Sequence, residues 1–146
     1  MQTVTHQVLD RCTADDRVRR ADPADGPLVR SVLARRSRLL LEADCRLMEL
    51  SFAGYTVREL ARLLGRHPGS ISRRLCTLKR RLCEEVVAAL ADCSADLPEH
   101  YLRIGIAHYV HGRSTRALAR QFALSQGEIA RTVGYLRAWA MLRKAV

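Results

Sequence analysis

The residues best equipped for chemistry in this chain are arginines gathered on one stretch. Arg73 and Arg74, then Lys79, Arg80 and Arg81, crowd a segment in which Ile71, Leu75, Leu78 and Leu82 recur at helical spacing. With Ile71 set at zero and about 100° added per residue, the three leucines fall within about 40° of it. Arg73 and Arg80 then lie nearly opposite, with Gly69, Cys76 and Thr77 beside them. A guanidinium on such a face offers planar, paired N–H donors that match the O6 and N7 acceptors of a guanine edge, or two oxygens of a phosphate.

Catalysis has no comparable support. There is no phosphate loop, HExxH, GxSxG or paired-carboxylate pattern, and beyond Asp96 the only acids, Glu99 and Glu128, suit helix starts. The five cysteines, Cys12, Cys45, Cys76, Cys83 and Cys93, are an odd set without a CxxC, which favours a reducing compartment over a disulfide framework or zinc module. His108 and His111 lie three apart, but no Cys or carboxylate is spaced to complete a site with them. The chain is therefore read as a non-enzyme with no metal and no cofactor, and Cys76 and Cys83 as packing residues.

The elements that must position the arginines belong to a chain of 146 residues with a formal charge of +10, 25 Lys and Arg against 15 Asp and Glu. Hydrophobic residues make up 48% and charged residues 27%, so the excess charge belongs on a folded surface and suggests a polyanionic partner. The longest apolar run, residues 86–91, is far short of the roughly 18 residues a membrane span needs, and a cytoplasmic, membrane-free protein is expected. Charge falls in blocks: −1 over 1–27, +2 over 28–53, +7 over 54–83, −4 over 84–97 and +6 over 98–146. No run of alternating β-branched residues occurs and the pattern from residue 28 onward is helical, so the fold is expected to be all-α. Residues 1–27, ending in the turn-rich 22–27, read as a mobile arm or weak helix.

An internal repeat at a shift of 58 organises the rest. Residues 54–78 and 112–136 align without a gap and share nine of 25 positions, among them Gly54/Gly112, Arg62/Arg120, Gly69/Gly127, Ile71/Ile129 and Arg73/Arg131. In the first copy Thr56 and Glu59 form a capping box, residues 57–64 a short helix, Gly65 its left-handed end, and Pro68 the first position of a second helix. Ala61, Gly65 and Ile71 have the spacing of a helix-turn-helix: a small residue at the crossing, a tight turn and a packing residue. Ala119, Ala123 and Ile129 take these roles in the second copy, where Ser125 and Glu128 cap the second helix. There Ile129, Val133, Leu136 and Ala140 make the buried stripe. Arg131, Tyr135 and Ala138 point outward, with Gly127 and Gly134 beside them, a smaller and less charged face. The first unit is therefore expected to be the stronger reader, and Arg62 and Arg120, on the preceding helices, are expected to reach only phosphates.

The stretch 52–75, continuing to Lys79-Arg80-Arg81-Leu82, resembles region 4 of bacterial sigma-70-type RNA polymerase sigma factors, the helix-turn-helix that reads the −35 promoter element. The second copy is similar, down to Leu97-Pro98-Glu99; together the resemblance covers 42–90 and 97–142. It implies DNA contact by Ser70, Ser72, Arg73 and Arg80, with Thr77 on the same face, and by Gln126, Arg131 and Tyr135 in the second copy. Arg62, Arg66, Arg74, Lys79 and Arg120 are assigned to phosphates. About 40 residues precede the first unit, too few for the larger sigma domain that melts DNA, so a complete sigma factor is not expected. Gly65-Arg66-His67-Pro68-Gly69-Ser70-Ile71-Ser72-Arg73 is also similar to the N-terminal helix-turn-helix of some insertion-sequence transposases.

These readings give two tandem helix-turn-helix units joined by a long helix, with the first unit and its preceding helix over 28–92, a linker at 93–97 and the second unit over 98–146. The function expected is a sequence-specific double-stranded DNA-binding transcription regulator, monomeric or homodimeric. Two alternatives remain: a sigma-like adaptor that docks on RNA polymerase, and the DNA-binding component of a mobile-element recombination system.

Overall fold

A computed structural model describes residues 26–144, and all regular structure among them is helical, so the protein is all-α as expected. The arm or weak helix expected at 1–27 lies outside the described residues except for Gly26 and Pro27, which cap and open the first helix. The chain divides after Cys83 into two compact units.

The first unit contains α1 (Pro27–Ser37), α2 (Glu42–Phe52), α3 (Val57–Leu64) and α4 (Pro68–Leu82). Leu33, Met48, Leu60, Leu78 and Leu82 are fully buried, and Ala61, Ile71 and Leu75 complete the stripes that α3 and α4 turn inward. Arg36 on α1 is half-buried, and its Nη1 donates to the Leu82 carbonyl at 2.8 Å. A positive charge thus sits on the negative end of α4, where a helix carries unsatisfied carbonyls.

The second unit contains α5 (Glu85–Asp92), a 3-10 turn (Ser94–Asp96), α6 (Glu99–Gly105) running into a π turn (Ile106–Val110), α7 (Thr115–Phe122) and α8 (Gln126–Lys144). Val87, Leu90, Ile104, Val110, Leu118, Ile129 and Leu136 are buried to 1% exposure or less. Gly105 lets α6 approach its neighbours closely: a β-carbon there would lie 2.9 Å from Leu136 Cδ1 and 3.2 Å from Leu90 Cδ1. The Tyr109 hydroxyl donates to the Val133 carbonyl on α8 at 3.0 Å, and burial pushes its phenol pKa up. Arg143 pairs with Asp96 at 2.6 Å and Lys144 with Glu85, fastening the C-terminal end of α8.

The long joining helix of the sequence reading is two helices. α4 ends at Leu82, and Glu84 is extended, with ψ of 140°, before α5 begins. The charge order accounts for the break: Lys79, Arg80 and Arg81 favour the negative end of one helix, and Glu84 and Glu85 the positive start of the next. Residues 85–92 accordingly pack with the second unit.

The repeat is realised element by element. α3 and α7 are both eight residues long and offset by 58, capped by Thr56 and Ser114. They end on left-handed residues, Gly65 at φ 61°, ψ 36° and Ala123 at φ 54°, ψ 40°. One more residue separates the N-cap Pro98 from Gly112 than separates the N-cap Leu41 from Gly54. The π turn, with the His111 N–H reaching back to the Ile106 carbonyl at 3.0 Å, absorbs that residue and restores the register.

Ala123 is the one described non-glycine residue with positive φ. A β-carbon there clashes with the following carbonyl at a cost of roughly 1 kcal/mol, which glycine avoids. Ala123→Gly is expected to raise the melting temperature by a few degrees; thermal unfolding of the two proteins measures it, and a clear decrease would show that the turn carries no such strain.

Candidate nucleic-acid interface

Local chemistry fixes the α3–turn–α4 unit. The Glu59 carboxylate accepts from the Thr56 N–H at 2.7 Å while the Thr56 hydroxyl accepts from the Glu59 N–H at 3.3 Å. The bond from the Thr56 backbone, then that from its hydroxyl, holds the Glu59 carboxyl below its ordinary range. Past Leu64 the chain turns left-handed at Gly65, and the Arg66 N–H bonds the Ala61 carbonyl at 2.9 Å. His67 caps α4, Pro68 opens it, and α3 packs on α4.

That packing decides which side of α4 meets water. Ser70, Arg73 and Arg80 are exposed, Ser72, Cys76 and Thr77 are half-buried, and α4 carries no acidic residue. Arg73 lies back along its own helix, its Nε donating to the Gly69 carbonyl at 3.3 Å. Two residues assigned to phosphates are occupied within the protein. Arg74 clasps the Asp44 carboxylate through Nε at 2.9 Å and Nη2 at 2.5 Å, tying α4 to α2. Lys79 is half-buried and has an interaction partner of its own. Arg62 on α3 and Arg66 in the turn are exposed.

The second unit repeats the frame with a different surface. Ser125 and Glu128 close a capping box at the start of α8, with bonds of 2.8 and 3.2 Å. The bonds from Ser125, side chain first, hold the Glu128 carboxyl low. Gln126 and Arg131 are exposed, as is Arg120 on α7. Tyr135 is 52% exposed and meets the Tyr101 ring edge-on at 5.2 Å. At the repeat offset, Glu128 stands where the first unit has Ser70, Ala130 for Ser72, Ala138 for Arg80 and Leu124 for Arg66. Trp139 is half-buried with the Arg143 guanidinium 5.4 Å from its ring, a packing contact.

Several contributors escape sequence reasoning. Arg36, which the sequence leaves as either solvated or phosphate-touching along with Arg35 and Arg38, turns inward because its partner is a main-chain carbonyl 46 residues away. His67 caps α4 through its ring, a role that residue type alone does not announce. The matched Gly69 and Gly127 each lie two residues after a capping side chain; a β-carbon at Gly69 would sit tightly at 3.3 Å from His67 Nδ1, whereas one at Gly127 would meet Ser125 Oγ at an ordinary 3.9 Å. Cys45, Cys76, Cys83 and Cys93 are thiols outside any disulfide; burial and Glu49 push the Cys45 thiol up, away from reactivity.

The depressed Glu128 carboxyl gives a pH test with a definite sign. A carboxylate with a lowered folded-state pKa stabilises above its unfolded pKa and loses that contribution as pH falls through the folded value. Glu128→Gln keeps the capping geometry without the charge. Its melting temperature is expected to be lower than wild type at neutral pH, and the gap to close below about pH 4. Melts between neutral and acid pH check this, and a gap independent of pH would contradict it.

No helix among the described residues is long and apolar enough to cross a membrane. No family model matches the chain, and no curated protein and no solved structure matches it, so a functional reading has to rest on the geometry of these two helix pairs.

Proposed function

We propose that the protein is a sequence-specific, double-stranded DNA-binding transcription regulator, with α4 as its principal reading element. The observation that carries this reading is the solvent face of α4. Arg73 and Arg80 project from the side opposite the buried Ile71, Leu75, Leu78 and Leu82, with Thr77 beside them and Ser70 and Ser72 at the margins, on a helix without a single acid. A helix about 10–12 Å across with its side chains fits a major groove of about 12 Å. Arg73 and Arg80 address base edges, Ser70, Ser72 and Thr77 add shorter polar contacts, and Arg62 and Arg66 anchor the flanking backbone. Gln126, Arg131 and Tyr135, with Arg120, form a second and weaker set. The role in transcription is supported by the resemblance of both units to sigma region 4.

Arg73 and Arg62 separate base reading from backbone anchoring. Arg73→Ala is expected to weaken binding to the preferred site about 5- to 150-fold, the equivalent of about 1–3 kcal/mol, and to relax preference at one base pair. Arg62→Ala is expected to weaken all sequences alike. Selection from a randomised duplex pool with each variant measures both effects. An unchanged preferred sequence for Arg73→Ala together with an altered one for Arg62→Ala would reverse the assignment of the reading helix.

A further inference from the structure

The α4 N-terminus offers no main-chain donor to an anion. Pro68 has no N–H, the Gly69 N–H donates to His67 Nδ1 at 3.1 Å, and the Ser70 and Ile71 N–H groups donate to the His67 carbonyl at 3.0 and 3.2 Å. What remains is the imidazole. A ring nitrogen that accepts a hydrogen bond carries no proton, so the proton of neutral His67 sits on Nε2. His67 is exposed, and the one recorded bond of its side chain is the one through Nδ1, which leaves Nε2–H as a donor toward solvent. Arg73 reaches the same spot: a β-carbon on Gly69 would lie 3.3 Å from His67 Nδ1 and 3.9 Å from Arg73 Nη2. The imidazole, through its Nδ1 edge, and a guanidinium thus flank one bare glycine, on a helix free of carboxylates.

We propose that His67 is a phosphate-binding residue, donating through Nε2–H to a phosphodiester oxygen beside the groove that Arg73 enters. This inference rests on the DNA-binding reading of α4. The acceptor is backbone because His67 precedes the helix, at the turn, where the lip of the groove is met before its floor. The second unit shows the contrast. Ser125 caps α8 at the equivalent position with its hydroxyl donated to Glu128, which puts a carboxylate where the first unit offers a donor.

The test uses duplexes of the selected site in which one phosphate at a time is replaced by an uncharged methylphosphonate, bound to wild type and to His67→Ser. Serine is itself a good N-cap, so the melting temperature is expected to stay within about 2 °C of wild type. Affinity for the unmodified duplex is expected to fall about five- to tenfold, evenly across sequences. At one phosphate, the methylphosphonate should weaken wild type about as much and leave His67→Ser nearly unaffected. Unchanged affinity of the variant, a shifted base preference, or equal sensitivity of both proteins at every phosphate would each overturn the proposal. If His67→Ser melts early, His67→Asn, which keeps a capping oxygen on a shorter side chain, is read by the same criteria. Wild type failing to bind any duplex would overturn the DNA reading of α4 and the role of His67 together, whereas wild-type binding with an insensitive variant defeats the role of His67 alone.

Discussion

A single left-handed residue between two helices is the constraint from which the rest of each unit follows. At Gly65 the chain leaves α3 after eight residues and enters α4 three residues later, a reversal short enough for Leu60 and Ala61 to share a core with Ile71 and Leu75. Were the turn longer, that burial would not fix the rotation of α4 about its axis, and the arginines opposite Ile71 would have no defined direction. Ala123 adopts nearly the same angles in the second unit without glycine's freedom. Packing of the fully buried Leu118 and Ile129 holds it there, since complete burial of such side chains is worth more than the strain at one residue.

The two units show that frame and surface are separable. Caps, turn and inward stripe recur at an offset of 58, while the outward face of α4 and that of α8 differ in chemistry. The Glu128 carboxylate stabilises its own helix start by satisfying Ser125, yet it presents negative charge where a phosphate would approach. His67 solves the same capping problem without an anion. The choice of cap thus couples local helix stability to what the helix end can bind.

What the sequence makes legible is what is local. The capping boxes at Thr56 and Ser125, the end of α3 at Gly65, the start of α4 at Pro68 and the stripe through Ile71 all depend on residues a few positions apart, and each stands where the sequence places it. The break at Cys83 and Glu84 was written in the change from basic to acidic residues, but an apolar periodicity that continues across it masks the stop. The π turn at Ile106–Val110 answers a one-residue difference in spacing that has no residue-type signature. The Arg36–Leu82 and Arg74–Asp44 contacts join residues 46 and 30 positions apart, so nothing in a local pattern distinguishes these arginines from solvated ones.

The most direct measurement is an amide-resolved NMR titration of the protein with a duplex carrying its selected site. If α4 lies in the groove, the largest shifts fall on Gly69, Ser70, Arg73, Thr77 and Arg80, with a smaller set at Gln126, Arg131 and Tyr135, while the fully buried Leu33 and Met48 stay in place. Shifts confined to α1 and α2, with the amides of α4 unmoved at saturation, would contradict DNA reading by this helix.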